Sequence, residues 1–364
     1  MARGETAPLR RGWTTGACAA AAARAAFAAL LTGHFPDPVA IRLPRGQAPI
    51  FPLALAEQSD GRARAGVVKD AGDDPDVTHG ALIVAELAWA SPGSGIQFRA
   101  GEGVGTVTRP GLALAVGEPA INPAPRAIIA ETLTELAEAN GASSPDLEVT
   151  IAIPGGERLA EKTMNARLGI LGGLSVLGTT GIVVPYSCSS WIHAIQRGID
   201  VARAAGFAHI AAATGSTSER AVQRLYDLPE AALIDMGDFV GGTLKYLRRH
   251  PVPRLTLAGG FAKIAKLAQG HLDLHSSRSR LDAAALANML AGRGADPATV
   301  AAASEADSAG AILELAGERR EALAEAVGWQ AREVALATSS GATAVEVAII
   351  GRNGEFLGRV GAMT

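Results

Sequence analysis

From Cys188 onward the chain alternates stretches of helical period with short apolar strands, and no other feature restricts its fold so sharply. A helix over Cys188–Ala205 precedes a strand at Ala208–Ala213 and a helix beginning near Ser218. A strand at Ala231–Ile234, a helix near Gly241–Arg249, a strand at Arg254–Ala258 and a helix over Lys263–Gln269 continue the run. Strands separated by single helices pair in parallel, because each helix carries the chain back to the edge where the next strand must start. The expected class is therefore α/β. Leu281–Val327 reads as alanine-rich helical hairpin, and the chain closes on a β-hairpin, Val345–Ile350 and Phe356–Val360, turning at Asn353-Gly354.

The first part has a different rhythm, mixing helix and strand. Thr14-Thr15-Gly16 supplies hydroxyl caps to an alanine-rich helix from about Cys18 to Leu31, ended by Gly33 and Pro36. Short strands are expected at Val39–Leu43 and Ile50–Leu55, and a helix or strand at Val77–Trp89. A helix from Arg126 to Asn140 closes on Gly141. The rhythm changes after Pro145, so a domain boundary is expected there, with Leu147–Ile153 as the first strand beyond it.

Bulk properties exclude several classes. A net charge of −3 with 19% charged residues lacks the basic surplus that nucleic-acid phosphates demand. No run of 18 or more apolar residues occurs, since Arg24 interrupts the longest stretch, Ala17–Leu31, so no membrane span is expected. Cys18 and Cys188 stand far apart and fit neither a disulfide framework nor an iron–sulfur motif, and a reducing cytoplasm is the expected compartment.

In open parallel sheets ligands bind beyond the carboxyl ends of the strands, where helix N-termini present unpaired N–H groups. Three strand ends here carry suitable residues. Thr214-Gly215-Ser216-Thr217 is a loop of small and hydroxylated residues that backbone donors can line. Asp235, with Gly237, follows about twenty residues later, where an acid accepts the ribose hydroxyls of a nucleoside. Gly259-Gly260 form the third loop, and the adjacent Phe261 is placed to pack on a base. Each loop alone is ordinary helix-capping chemistry; the three together point to a nucleoside-type cofactor. A Walker P-loop is absent.

Several motifs resemble the CbiD family: Thr14-Thr15-Gly16, Lys69-Asp70-Ala71-Gly72-Asp73-Asp74-Pro75-Asp76, Gly101-Glu102-Gly103-Val104-Gly105, Gly117-Glu118-Pro119, Arg167-Leu168-Gly169 and Leu177-Gly178-Thr179-Thr180-Gly181. One departure is Ala166, where the related motif has proline. The resemblance runs from about Leu9 to Ser277. It implies transfer of a methyl group from S-adenosylmethionine to C-1 of cobalt-precorrin-5B, a cobalt-corrinoid, giving cobalt-precorrin-6A in cobalamin biosynthesis. Cobalt then arrives within the substrate, and no protein-bound metal is expected. The implied organisation is an α+β domain over residues 1–144 facing the tetrapyrrole and a Rossmann-like S-adenosylmethionine domain over 145–290. Helices and a hairpin over 291–364 pack on both. The partners expected are the corrinoid alone, with no nucleic acid and no membrane, and a homodimer is left open.

A substrate bearing many carboxylates calls for cationic clamps, and Lys69, Arg109, Arg126, Arg167 and Lys263 lie beside loops. Each reads equally as a solvated or structural ion pair. Asp73 and Asp74 are the expected catalytic acids, although the cluster from Asp70 to His79 also fits helix capping and turn chemistry. Its spacing suits neither an EF-hand nor a zinc site. His271 and His275 fall one helical turn apart if their segment is helical, and His275 is the third catalytic candidate. Two other functions stay open at this point: a small-molecule kinase with Gly101–Gly105 as its phosphate loop, and a corrinoid carrier without methyl-donor affinity.

Overall fold

The structure is a computed structural model and describes residues 8–142, 145–341 and 343–361. The chain forms two compact units, Met1–Ser187 and Cys188–Thr364.

In the first unit, helix α1 (Thr15–Thr32) runs through the core, with Thr14 Oγ1 accepting from Ala17 N and Gly33 closing it at φ +78°. Its alanines are buried almost all round, so it packs closely against a sheet on one side and α2 (Pro123–Ala139) on another. Among the described residues it is the one helix long and apolar enough to cross a membrane, and it is spent as the unit's central core helix. The sheet contains β1 (Leu55–Ser59), β2 (Arg62–Val68), β3 (Leu82–Trp89), β4 (Ile96–Ala100) and β5 (Leu147–Ala152), in the order β1-β2-β3-β5-β4. Alternation sorts its two faces. Ala63, Ala65, Val67, Ile83, Ala85, Leu87, Val149 and Ile151 turn toward α1. Arg62, Arg64, Glu57, Glu86, Arg99 and Glu148 face outward, linked by cross-strand pairs such as Arg62–Glu86 at 2.8 Å and Arg99–Glu148 at 3.2 Å.

The expected boundary at residue 144 lies outside the described residues, but its premise fails on either side. Strand β5 does not open the second unit; it pairs antiparallel with β3 and parallel with β4, inside the first sheet. The division comes at Ser187/Cys188 instead.

The second unit matches the sequence reading closely. It comprises α3 (Cys188–Ala204), β6 (His209–Ala213), α4 (Ser216–Tyr226), β7 (Leu233–Asp235), α5 (Val240–Leu247), β8 (Arg254–Gly260) and α6 (Phe261–Ala268). After α7 (Ala283–Ala291), α8 (Pro297–Ser304), α9 (Ala309–Leu315) and α10 (Arg320–Ser339) come β9 (Ala344–Ile350) and β10 (Phe356–Val360). The sheet order is β7-β6-β8-β9-β10, parallel except for the last strand. Numbered within the unit this is 2-1-3-4-5, the flavodoxin-like variant of the doubly wound sheet, whose order reverses between its first and third strands. The terminal hairpin is thus no appendage packed on other domains: β9 is a full member of the parallel sheet, in register with β8 from Arg254↔Ala344 to Gly260↔Ile350.

One face of this sheet, carrying Ile210, Ala212, Ile234, Leu255, Leu257, Val345 and Val347, is covered by α3, α5, α6 and α10. Ala211, Ala213, Leu233, Ala258 and Ala348 turn to the other face, where Ala221 and Val222 of α4 pack on them.

Candidate functional site

The strand order reverses between β6 and β8, with β7 beside them, and doubly wound sheets take their ligands at the carboxyl ends of such strands. Asp235, Ala213, Ala258 and Ala348 stand level across the sheet, so the residues just beyond them form one rim. The backbone there is bare. A Cβ on Gly215 would meet nothing within 4 Å, and one on Gly260 would meet only the Ile350 carbonyl, at 3.9 Å.

The helices that start on this rim are also uncapped. Gly215, Phe239 and Gly260 precede α4, α5 and α6, and none offers a side-chain acceptor to the first turn. Away from the rim, Thr14, Asp282, Asp296 and Ser308 accept from backbone N–H groups at the starts of α1, α7, α8 and α9, while α2 and α10 also begin without a side-chain cap. Gly241 N in the first turn of α5 donates to the Leu272 carbonyl at 2.9 Å, whereas the starts of α4 and α6 offer first-turn donors without a side-chain acceptor, and the helix dipole there favours a negative group.

The structure therefore brings together Thr214, Gly215, Ser216, Thr217, Asp235, Gly237, Gly259 and Gly260, the residues proposed for the cofactor. Asp235 is half-buried at the end of β7. Gly259 packs tightly, since a Cβ there would lie 2.9 Å from Thr214 Oγ1. Lys263 joins two of the loops: its Nζ donates to the Thr214 carbonyl at 3.1 Å and lies 3.0 Å from Asp238 Oδ1. It locks the rim before it can meet any substrate. Phe261, expected to pack on a base, is 5% exposed and belongs to the core.

His275 reaches the same rim by an indirect route. Helix α6 ends at Ala268, and Gly270 reverses the chain at φ +86°. Leu274 N then donates to the Asp238 carbonyl, and Arg278 spans Asp273 and the sulfur of Cys188 at 2.8 and 3.3 Å. The segment is not helical, so His271 and His275 do not form the pair that a helix would have made. His271 Nε2 bonds the Arg280 carbonyl and His275 Nδ1 bonds Ser277, while the His275 ring is exposed.

Sequence reasoning missed Trp191. It lies on the first turn of α3, and its indole N–H donates to the Asp235 carbonyl at 3.2 Å. The only signal was a tryptophan at the start of a helix, flanked by serines.

The first unit gives the motif residues different work. Lys69 is 1% exposed, and its ammonium lies 2.7 Å from Asp76, whose other oxygen accepts from Thr78 N and Oγ1. It cannot clamp a substrate. Asp73 accepts from Arg10 N at 2.6 Å and Asp74 from Tyr186 N at 2.8 Å, so both expected catalytic carboxylates hold neighbouring backbone. Asp70 is bidentate on Arg10 and takes Gly72 N, which holds its carboxyl down at about 2. Cys18, buried at the start of α1, is pushed up to about 12 by desolvation. Arg126 pairs with Glu118 and donates to the carbonyls of Ile121 and Pro119. Of the remaining cations, Arg167 is half-buried and Arg109 exposed.

The glycine loop 101–105 is filled. A Cβ on Gly103 would lie 2.0 Å from the Ile153 carbonyl, and Gly156 and Gly173 both press on the Gly103 backbone. Gly103 N already donates to the Glu157 carboxylate at 2.8 Å, so an anion occupies the position a phosphate would need. The kinase reading has no loop to stand on.

Comparisons with known proteins agree on one family. The CbiD family matches residues 2–185, and the CbiD C-terminal domain matches residues 273–361. A cobalt-precorrin-5B C(1)-methyltransferase of Paramagnetospirillum magneticum is 59% identical over 96% of this chain and 98% of its own length. The same enzyme of Halorhodospira halophila is 58% identical, covering 97% of this chain and 95% of its own. A crystal structure of the cobalamin biosynthesis protein cbiD from Archaeoglobus fulgidus aligns with TM-score 0.41 at 30% identity, over 74% of this chain and 83% of that one.

Proposed function

The chain belongs to the CbiD family, and from that premise we propose that it is an S-adenosylmethionine-dependent methyltransferase acting at C-1 of cobalt-precorrin-5B to give cobalt-precorrin-6A. The observation that carries the cofactor assignment is the rim of the second sheet, where bare glycines and the starts of α4 and α6, which have no side-chain cap, meet at the reversal of strand order. Backbone donors of α4 suit the cofactor's carboxylate, and Asp235 suits its ribose hydroxyls. When bound, S-adenosylmethionine supplies an electrophilic methyl group on a sulfonium. The chain's own work is to orient it, through Thr214–Thr217 and Asp235, and to keep the rim rigid through Lys263.

The corrinoid, with its cobalt, enters as substrate in this reading, and among the candidates Arg109 in the first unit and His275 in the second are exposed. We assign the enzyme to the cytoplasm as a soluble protein, with free cysteines at 18 and 188.

Calorimetric titration with S-adenosylhomocysteine tests the assignment. Asp235→Ala is expected to raise Kd by one to two orders of magnitude, since hydrogen bonds to a charged acceptor contribute about 1.5–3 kcal/mol each. An unchanged Kd would move the cofactor away from this rim, and no binding by the wild-type protein would leave the carrier reading in its place.

A further inference from the structure

We propose that the indole of Trp191 is the platform on which the adenine of S-adenosylmethionine stacks. This rests on the cofactor assignment above and names the part of the site that recognises the base.

Three observations place it. First, Trp191 is 46% exposed beside the rim, whereas Phe207, Phe239, Tyr246 and Phe261 pack against the unit's core and the other exposed aromatics, Trp329 and Phe356, belong to α10 and β10. Second, its exposure is not looseness. The indole N–H donates to the Asp235 carbonyl, and a Cβ on Gly237 would stand 3.5 Å from three of its ring atoms. The ring is held by one edge against the end of β7, next to the acid expected to take the ribose. Gly237 adopts φ +53°, a conformation that favours glycine, so no side chain intervenes between strand end and ring. Third, the order across the rim matches the order of groups in the cofactor. The Thr214–Thr217 loop follows β6, Asp235 ends the neighbouring β7, and Trp191 belongs to the helix that packs on β7, the edge strand. Amino-acid tail, ribose and base follow the same sequence.

An anchored, half-exposed ring loses little conformational freedom when a base settles on it, so the stacking energy is nearly all available for binding. Phe239 lies beside the indole, its ring centre 6.3 Å from that of Trp191 and the two planes tilted by 44°.

The test is titration of S-adenosylhomocysteine into wild-type protein, W191A, W191F and D235A, by calorimetry and by tryptophan emission. W191A should raise Kd roughly ten- to a hundredfold, the range seen when a stacking aromatic is removed from under a base. W191F, which keeps an aromatic face, should recover most of that loss. Binding should quench the emission of the wild type and leave that of W191F, with its remaining Trp13, Trp89 and Trp329, unchanged. S-adenosylmethionine should lose as much affinity as S-adenosylhomocysteine. A loss confined to the sulfonium form would put the indole against the cation instead and overturn the adenine assignment. So would wild-type affinity in W191A, and if D235A still binds weakly the cofactor reading survives that result. If D235A also binds normally, both fall together. Should W191A melt early, W191F and the emission change decide alone.

Discussion

The Asp70–Asp76 loop and the rim of the second sheet are the two places where this chain concentrates the residues of a site, and they use them in opposite ways. In the loop every aspartate has found a partner within the protein: Asp70 takes Arg10 and Gly72 N, Asp73 takes Arg10 N, Asp74 takes Tyr186 N, and Asp76 takes Lys69 and Thr78. On the rim, the starts of α4, α5 and α6 lack side-chain caps and two glycines face open space. A polar cluster that satisfies itself is scaffold. One whose helix starts lack side-chain acceptors beside bare glycines has room for a ligand to supply them.

The glycines give the sharpest way to break this comparison. Gly103→Ala would drive a methyl group into the Ile153 carbonyl at a backbone φ of +70°. Overpacking and left-handed strain together should cost about 2–5 kcal/mol. Gly215→Ala meets no atom, and its φ of 170° is extended backbone that alanine adopts freely. Its stability should stay within about 0.5 kcal/mol of wild type, while its affinity for S-adenosylhomocysteine falls. Urea denaturation of both variants checks the pair. A stable G103A would show that the loop can yield, and would reopen it as a ligand site.

Lys69 comes next. Its ammonium is buried against a carboxylate that is a quarter exposed, so Lys69→Met strands Asp76 and should cost about 3 kcal/mol, the low end for a broken buried pair. Adding Asp76→Asn should recover part of that loss. Denaturation midpoints that do not move in K69M would mean the pair contributes nothing and that Lys69 is retained for chemistry.

How far the sequence disclosed this molecule depends on the range of the contacts. The second unit was legible almost strand by strand, because βαβ units bury apolar strands whose partners lie one helix away. The first unit was not. The hairpin Leu55–Ser59 and Arg62–Val68 escaped notice because its inward residues are alanines and its outward ones arginines, so hydrophobic alternation is faint; small residues there follow from the close approach of α1. Strand β5 read as the opening of the next domain because its pairing with β3 joins Val84 to Ala152, a contact no local pattern can announce. Of the candidate site, spacing alone picks out the loops and Asp235 that the sheet register brings to one rim. The burial of Lys69 and the pairing of Arg126 with Glu118 are invisible in a sequence, and so is the strand end on which Trp191 leans.

The amino-terminal half of the same sheet sharpens the contrast between open and closed polar groups. Glu346, 1% exposed, accepts from Tyr226 Oη at 2.5 Å, Thr256 Oγ1 at 2.7 Å and Arg359 Nε at 3.1 Å. Thr256 gives its proton to Glu346 and so accepts from His209 Nε2 at 2.8 Å, which assigns that proton to Nε2. Burial, and then the charge of Arg254, hold His209 below its ordinary value of 6.5, with Glu346 opposing. Below pH 6.5 the unfolded chain takes up a proton that the folded chain resists, so stability falls as pH drops through that window. His209→Gln should flatten the loss by a fraction of one proton when stability is followed from pH 8 to 5. A steeper acid limb in H209Q would mean that Glu346 outweighs burial.

The smallest effect should come from the pair that looks strongest. Arg10 and Asp70 form a fork-to-fork contact, Nη2 to Oδ1 at 2.9 Å, and the hydrogen bond from Arg10 is the main force holding the Asp70 carboxyl near 2. Yet both side chains are open to solvent, 58% and 44% exposed, so water and salt screen the attraction. Asp70→Asn also keeps an oxygen for Gly72 N. It should therefore cost only a few tenths of a kcal/mol at neutral pH, and less in 0.5 M salt. The sign with pH is fixed by the depressed carboxyl. Above its unfolded value of 3.8 the pair stabilises the fold in full, and the contribution is lost as pH falls toward about 2. The difference between wild type and D70N should accordingly shrink between pH 4 and 2, read from thermal midpoints in low salt. A gap that widens on acidification, or one of more than about 2 kcal/mol at pH 7, would show that Asp70 does more than hold Arg10 to the loop.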